Sequence, residues 1–205
     1  MSSTASPRVL AVLDDAAAGQ AVLELSSALA RAVQRDLALV YVESTQSLVA
    51  AALPFARVLS HAATQWVPLL PQDVEQGYRA QAARLRVLAE RISVRDAVSW
   101  SLRVVRGSLP GAALELLTES DLLLVAANPP RQRRRHVIVA AVDDATPAGG
   151  RALRVAAQLA RALGGSLQTA HVDPALAQPD ILVLPSTSFV PGALAKARCP
   201  VLLVA

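Results

Sequence analysis

Two short apolar runs that end in paired carboxylates divide the chain into two similar halves. The first run, Val9–Leu13, is followed by Asp14–Asp15, and the second, Val137–Val142, by Asp143–Asp144. An apolar run of this length, bounded by turn-forming residues, predicts a strand that is buried on both faces. The carboxyl end of such a strand is where an open α/β sheet usually binds its ligand. The pattern therefore predicts a candidate site at the end of each run.

The remainder of the first half alternates between strand and helix patterns. Further strands are predicted over Leu37–Val42, Trp100–Val105 and Leu122–Ala126, and helices over residues 19–34, 73–93 and a stretch near Pro110. This order predicts an α/β, Rossmann-like fold with a parallel sheet and flanking helices. The apolar stretch Leu48–Leu70, interrupted by Pro54 and Pro68, predicts one or two short helices. Two interpretations are open for this stretch: it covers the sheet, or it presents an apolar surface to a partner subunit or an apolar ligand.

The second half repeats the pattern in abbreviated form. Its predicted elements are strands at Val137–Val142, Leu167–Val172, residues 180–184 and Val201–Val204, and helices at Gly149–Leu163 and near Pro191–Ala197. It lacks a copy of the apolar stretch and of the third strand. Two prolines and an arginine run at residues 129–135 predict a linker. We therefore expect a first repeat over 1–128, this linker, and a shortened second repeat over 136–205.

Composition narrows the class of protein. Hydrophobic residues make up 53% of the chain and aromatic residues 3%, which indicates a core of Ala, Val and Leu. No apolar run approaches the roughly 18 residues of a membrane span, and we expect a soluble, cytoplasmic protein without membrane contact. The single Cys199 is expected to be a small buried hydrophobe. His61, His136 and His171 lack the spacing of a metal site, and no catalytic motif is present, so we expect no metal and no enzyme activity.

In their order and spacing, these pieces resemble the universal stress protein family in its tandem form, with a shortened second copy. Similar to the family are the first strands with their aspartates (Val12–Asp14, Ala141–Asp143), the second-strand ends (Val40–Ser44, Ala170–Pro174), Val104–Pro110, Asp121–Val125 and the closing Cys199–Val204. The resemblance implies an adenine nucleotide alpha hydrolase-like fold and a role in a stress response. It also implies dimerisation through the C-terminal strand. We therefore expect a homodimer or a partner protein, held through that strand or, as its apolar residues indicate, through the 48–70 stretch.

The same resemblance implies where a nucleotide would bind. The family's aspartate at Asp14 or Asp143 contacts the base or ribose, and the positions of Val42 and Val172 contact the adenine. Members that bind ATP carry a glycine-rich phosphate loop after the fourth strand. Here the corresponding stretches are Ala126–Pro130 and Pro185–Phe189. Prolines remove N–H donors and side chains keep the backbone away from phosphates, so we expect neither half to bind ATP in the family manner, and no cofactor.

Two interpretations of the polar residues stay open. The aspartate pairs Asp14–Asp15 and Asp143–Asp144 either contact a nucleotide or cap the following helices. The arginines around Arg133 either bind phosphate in place of the glycine loop or form a solvated linker. Because no aromatic platform accompanies them, we do not expect nucleic acid as a partner. The two functional hypotheses are a non-catalytic stress-type protein that acts through protein contacts and an adenine-nucleotide sensor.

Overall fold

The computed structural model describes residues 8–15, 19–60, 65–119, 121–126, 138–142, 146–170, 179–189, 197 and 199–205. Ten strands lie in these ranges: β1 (Arg8–Leu13), β2 (Asp36–Ser44), β3 (Arg57–Ser60), β4 (Gln65–Pro68), β5 (Trp100–Gly107), β6 (Leu122–Ala126), β7 (Ile138–Val142), β8 (Ser166–Ala170), β9 (Ile181–Pro185) and β10 (Val201–Val204). The five α-helices there are α1 (Gly19–Val33), α2 (Thr45–Ala51), α3 (Pro71–Asp96), α4 (Leu109–Leu116) and α5 (Pro147–Ala162). None of these helices is long and apolar enough to cross a bilayer.

Eight of the strands form one continuous sheet in the order β5-β2-β1-β6-β10-β9-β7-β8. Within this sheet β5, β2, β1 and β6 pair in parallel, and so do β10, β9, β7 and β8. The two sets meet where β10 pairs antiparallel with β6. The strands of the second half therefore run opposite to those of the first.

Helices cover both faces of the sheet, which confirms the predicted Rossmann-like α/β fold. One core lies under α1, α3 and α5, and the other lies on the α4 face. The apolar faces of two helices pack in the first core: Val22, Leu25, Leu29 and Val33 of α1, and Tyr78, Ala82, Leu85, Leu88 and Ile92 of α3. Cys199 is buried in the second core, as expected of a small hydrophobe. Buried aliphatic strands are typical of a sheet covered on both sides.

The apolar stretch between β2 and α3 differs from the prediction of short helices alone. Only α2 is helical. Beyond Pro54, the antiparallel strands β3 and β4 form a separate two-stranded sheet. Proline opposes continuation of the helix, and Val58, Leu59, Trp66 and Val67 are residue types that favour strands. The expected helical cover of the sheet is therefore replaced here by a β-pair.

The closing strand β10 has neighbours on both sides. Its register pairs Val201 with Val125 of β6 and with Leu182 of β9. Both hydrogen-bonding edges are thus used within the chain, and the C-terminal strand offers no free edge to a second chain. The predicted linker at 129–135 and most of the predicted helix near 191–197 lie outside the described residues.

Candidate functional site

The sheet has a topological switch point at β1, where the candidate site was predicted. β1 lies between β2 and β6, so the chain leaves it toward one side of the sheet and later returns to the other. Ligands of open α/β sheets bind in the crevice at the carboxyl ends of strands at such a point. Asp14 and Asp15 follow β1 directly and are exposed. The fold therefore places the first carboxylate pair where a ligand would be expected.

A second switch point lies at β7, which is flanked by β8 and β9. Because the strands of the two halves run in opposite directions, β7 ends with Val142 at the opposite end of the strands from Asp14. The two predicted sites would thus open at opposite ends of the strands. Asp143, Asp144 and Val172, predicted for the second site, lie outside the described residues, as does Arg133.

Surrounding protein atoms perturb the carboxyl group of Asp14. Although Asp14 is exposed to solvent as a residue, nearby protein atoms partly desolvate its carboxyl group and raise its pKa above the ordinary value; a backbone hydrogen bond opposes this shift, and the negative charge of Asp15 adds to it. Desolvation penalises the ionised form of a carboxyl group. Asp14 is therefore a strand-end carboxylate with incomplete solvation, which a cationic or hydroxyl-bearing ligand would stabilise.

The helix-capping interpretation of the first carboxylate pair stays open. The described part of α1 begins at Gly19, and residues 16–18, which connect Asp15 to it, lie outside the described residues.

Aromatic and polar side chains from α3 occupy the space near the end of β2. The rings of Tyr41 and Tyr78 meet edge to face with centroids 6.3 Å apart. The Tyr41 hydroxyl donates a short hydrogen bond to Gln81, and the Tyr78 hydroxyl donates one of 3.1 Å to the carbonyl oxygen of Ser44. Burial, followed by the proximity of Tyr78, raises the pKa of Tyr41 well above its ordinary value. Tyr41 therefore stays protonated and serves as a hydrogen-bond donor.

The Val42 side chain does not face this region. It is 0% exposed and packs in the core on the α4 face. Only the backbone atoms of Val42 could contact a ligand at the carboxyl ends of the strands. The predicted contact with adenine would thus have to come from the main chain.

An ion-pair cluster closes the ends of β2 and β5. Arg106 of β5 lies opposite Glu43 of β2 and donates to it at 3.0 Å and to Glu75 of α3 at 3.4 Å. Hydrogen bonding to Glu43 is the first cause of a raised Arg106 pKa. Sequence reasoning missed this cluster, because its members come together only once β2 and β5 are in register. The opposite charges at two strand ends are the signal that could have indicated it.

The described residues on either side of the arginine run, Ala126 and Ile138, lie at the same end of the strands as Asp14. Ala126 ends β6, which runs parallel to β1, and Ile138 begins β7, which runs the other way. Both positions therefore lie at the end of the sheet where β1 stops and Asp14 follows. Within the described ranges no group of three or more His, Cys, Asp or Glu residues is arranged to hold a metal ion.

Fold and site together define a doubly wound α/β protein with carboxylates at its first switch point. The sequence matches no protein-family model and none of the curated proteins. Among solved structures it is similar to a universal stress protein crystallised in complex with cAMP, at 14% sequence identity over 82% of this chain and 100% of that chain, with a TM-score of 0.34. At this identity and score we build no argument on the likeness, and the fold class rests on the strand order and register.

Proposed function

We propose that this chain is a universal-stress-type protein in tandem form that acts through protein–protein contacts, without catalysis and without binding ATP in the manner of that family. The order and spacing of its sequence pieces support the family, and the prolines at the two phosphate-loop positions support the loss of ATP binding. The observation that carries the proposal is an exposed apolar surface beside α3.

This surface, the apolar arm, consists of α2, β3, β4 and their flanking residues, 45–60 and 65–70. Eight of the twelve exposed large hydrophobic residues in the described chain lie on it: Val49, Leu53, Phe55, Val58, Leu59, Trp66, Val67 and Leu70. Phe55 is 75% exposed and Trp66 64%. Contiguous apolar surface of this kind marks interaction sites in soluble proteins, and Trp is enriched among the residues that dominate binding energy.

The backbone of the apolar arm also favours association. β3 and β4 pair only with each other within the described chain, and an isolated two-stranded sheet is marginally stable in water. Val58 lies opposite Val67 and Leu59 opposite Trp66, so both faces of the pair are apolar. A further strand or an apolar cover would stabilise both the faces and the free edges.

We propose a second copy of this chain as the partner. Arg57 is the only Asp, Glu, Lys or Arg in the described residues of the arm, so the surface offers little charge for a strongly charged partner to match. An apolar patch of this kind matches its own copy, as a two-fold symmetric dimer requires. Burying Phe55 and Trp66 against the partner copy would supply aromatic contact area at the centre of the interface.

Sedimentation velocity of the full chain tests this proposal. We expect a dimer at micromolar concentration, and a shift toward monomer in Phe55→Ser and Trp66→Ser. Val94→Ser is the matched control, because Val94 is equally exposed but lies on α3 away from the arm; it should leave the dimer intact. A wild-type chain that stays monomeric throughout the concentration range would contradict the proposal.

A specific observation also favours the second hypothesis, an adenine-nucleotide sensor. Asp14 and the two residues that bracket the arginine run lie at the same end of the strands of the large sheet. A base contact at Asp14 and a phosphate contact near Arg133 are therefore compatible with the strand directions. Thermal unfolding with and without ATP–Mg²⁺ separates the hypotheses. A nucleotide at 100 times its Kd would add about 2.7 kcal/mol, which raises the Tm by roughly 2–4 °C per kcal/mol. An unchanged Tm at millimolar ATP would exclude the sensor.

A further inference from the structure

A cleft of about 750 Å³ lies between α1 and α5, where the two halves meet. Its walls are the end of α1, the start of β6, the end of β10 and the second and third turns of α5. Leu122, which begins β6, lies opposite Val204, which ends β10. The cleft is therefore at the opposite end of the strands from Asp14. It is distinct from the site at the first switch point.

Positive charge dominates this cleft. Three arginines, Arg35, Arg151 and Arg154, line it together with a single aspartate, Asp121. The guanidinium groups still outnumber the acidic groups by three to two when a terminal carboxylate at Ala205 is counted. Because arginine stays protonated at all physiological pH values, the excess positive charge is permanent.

The three arginines are engaged to different degrees. Arg35 forms a 3.1 Å ion pair with Asp121. Arg151 donates at 3.0 Å to the main-chain oxygen of Ala205. Within the described part of the chain, Arg154 has no hydrogen bond or ion pair. Two guanidinium groups on one helix thus line a cleft in which Asp121, the one acidic side chain among the described lining residues, is paired with Arg35.

We propose that this cleft binds a small phosphate-bearing anion of the size of pyrophosphate, with Arg151 and Arg154 as its principal ligands. Residues three apart on a helix lie on the same face, so the two planar guanidinium groups point into one space. Each offers paired N–H donors that match phosphate oxygens bidentately. Gln158, one turn further along α5, adds an uncharged amide donor to the same wall.

The cleft lies where the two halves of the chain meet, so a bound anion would contact residues of both halves. Arg35 and Asp121 come from the first half, and Arg151 and Arg154 from the second. An anion held by Arg35 as well as by Arg151 and Arg154 would contact both halves of the chain. Binding would then favour the docked arrangement of the halves, because a ligand stabilises whichever state holds its complete site. This proposal is independent of the proposed function and goes beyond it.

Isothermal titration of the full chain with pyrophosphate, at constant ionic strength, tests the proposal. Arg151→Gln and Arg154→Gln should each weaken binding about tenfold or more, as loss of charge-assisted hydrogen bonds implies. Arg161→Gln is the control on the same helix, because the Arg161 Nε atom donates to the carbonyl oxygen of Ala157 and its side chain is not part of the cleft wall. It should bind pyrophosphate like the wild type.

A gain-of-affinity variant guards against effects of misfolding. Asp121→Asn removes the one aspartate from the cleft and releases Arg35 from its ion pair, so pyrophosphate should bind several-fold more tightly. Absence of pyrophosphate binding at millimolar concentration would overturn the proposal. Equal affinity in the wild type, Arg151→Gln and Arg154→Gln would overturn it as well.

Discussion

The hydroxyl group of Ser27 donates a 2.7 Å hydrogen bond to the carboxylate of Asp96, which ties α1 to the last residue of α3. Arg95 donates two further hydrogen bonds, of 2.9 and 3.0 Å, to the same carboxylate. Ser27 is buried, and the Asp96 side chain is only 8% exposed. A hydrogen bond to a charged group in such a place is worth more than one between neutral groups. The contact therefore fixes how two helices lie on the sheet.

Replacing Ser27 with alanine should destabilise the protein by about 1.5–3 kcal/mol, the range for a hydrogen bond to a charged group. Urea unfolding measures the change. Ser26→Ala is the neighbouring control, since the Ser26 hydroxyl bonds only to the carbonyl oxygen of Leu23 within its own helix. Its cost should be smaller, and equal costs for the two variants would contradict the role given to Asp96.

Acid should weaken the same contact. The hydrogen bond from Arg95, and then that from Ser27, lower the pKa of Asp96 below its ordinary value of 3.8, although burial opposes them. A group with a lowered folded-state pKa stabilises the protein above the unfolded-state pKa, and that contribution is lost as the pH falls through the folded-state pKa. Asp96→Asn should therefore be less stable than the wild type at pH 7, with a difference that shrinks below about pH 4. A constant difference across this range would argue against the ionised contact.

The contribution of Asp14 to stability should depend on pH in the opposite sense to that of Asp96. Burial raises its pKa above 3.8, so its protonated form is favoured in the folded state. Its contribution to stability is then fully present below the unfolded-state pKa and is lost as the pH rises through the folded-state pKa. Asp14→Asn should consequently raise the Tm at pH 7, and the gain should vanish in acid. A lower Tm at pH 7 would show that the ionised carboxylate has a stabilising contact in the fold.

Gly19, the first residue of α1, is tightly packed against α3. A Cβ atom at this position would lie 2.5 Å from Cδ2 of the buried Leu85. Gly19→Ala should therefore cost about 1–3 kcal/mol through overpacking. Gly77→Ala on α3 is the matched control, because nothing lies within 4 Å of its added Cβ, and it should stabilise the helix by about 0.5–1 kcal/mol. Thermal unfolding of both variants checks the opposite signs.

The shared sheet should make the two halves unfold together. Leu202 of β10 is completely buried in the first core, so Leu202→Ala should cost about 2–5 kcal/mol. Both tryptophans, Trp66 and Trp100, lie in the first half, whereas far-ultraviolet circular dichroism reports on both halves. Coincident urea transitions by the two probes, in the wild type and in the variant, are expected for one cooperative unit. Separate transitions would show that the halves fold independently.

Much of this architecture could be predicted from the sequence, because buried parallel strands are short apolar runs with clear ends. β6 and β10 have the predicted bounds, and the other strands of the large sheet differ by one or two residues at their described ends. The β3–β4 pair was missed because an apolar stretch of that length fits helix and strand equally well. The opposite direction of the halves is set by the pairing of β10 with β6, which leaves no local signal in the sequence.

The candidate site was predictable only in part, for a similar reason. A carboxylate directly after a buried strand is visible in the sequence, and Asp14 lies where that pattern puts it. The contact of Tyr41 with Gln81 joins residues forty positions apart, and the cluster of Glu43, Glu75 and Arg106 needs two strands in register. Such contacts depend on tertiary packing, which residue periodicity does not encode.

Placing β10 between β6 and β9 has a consequence for the newly synthesised chain. The nascent first half has every strand of its own when residue 126 leaves the ribosome, but the outer edge of β6 stays open until residues 201–204 emerge. An open apolar edge strand invites pairing with other chains. We therefore expect nascent or truncated chains that end before residue 201 to need chaperones, and a peptide spanning β10 to rescue them by filling the gap.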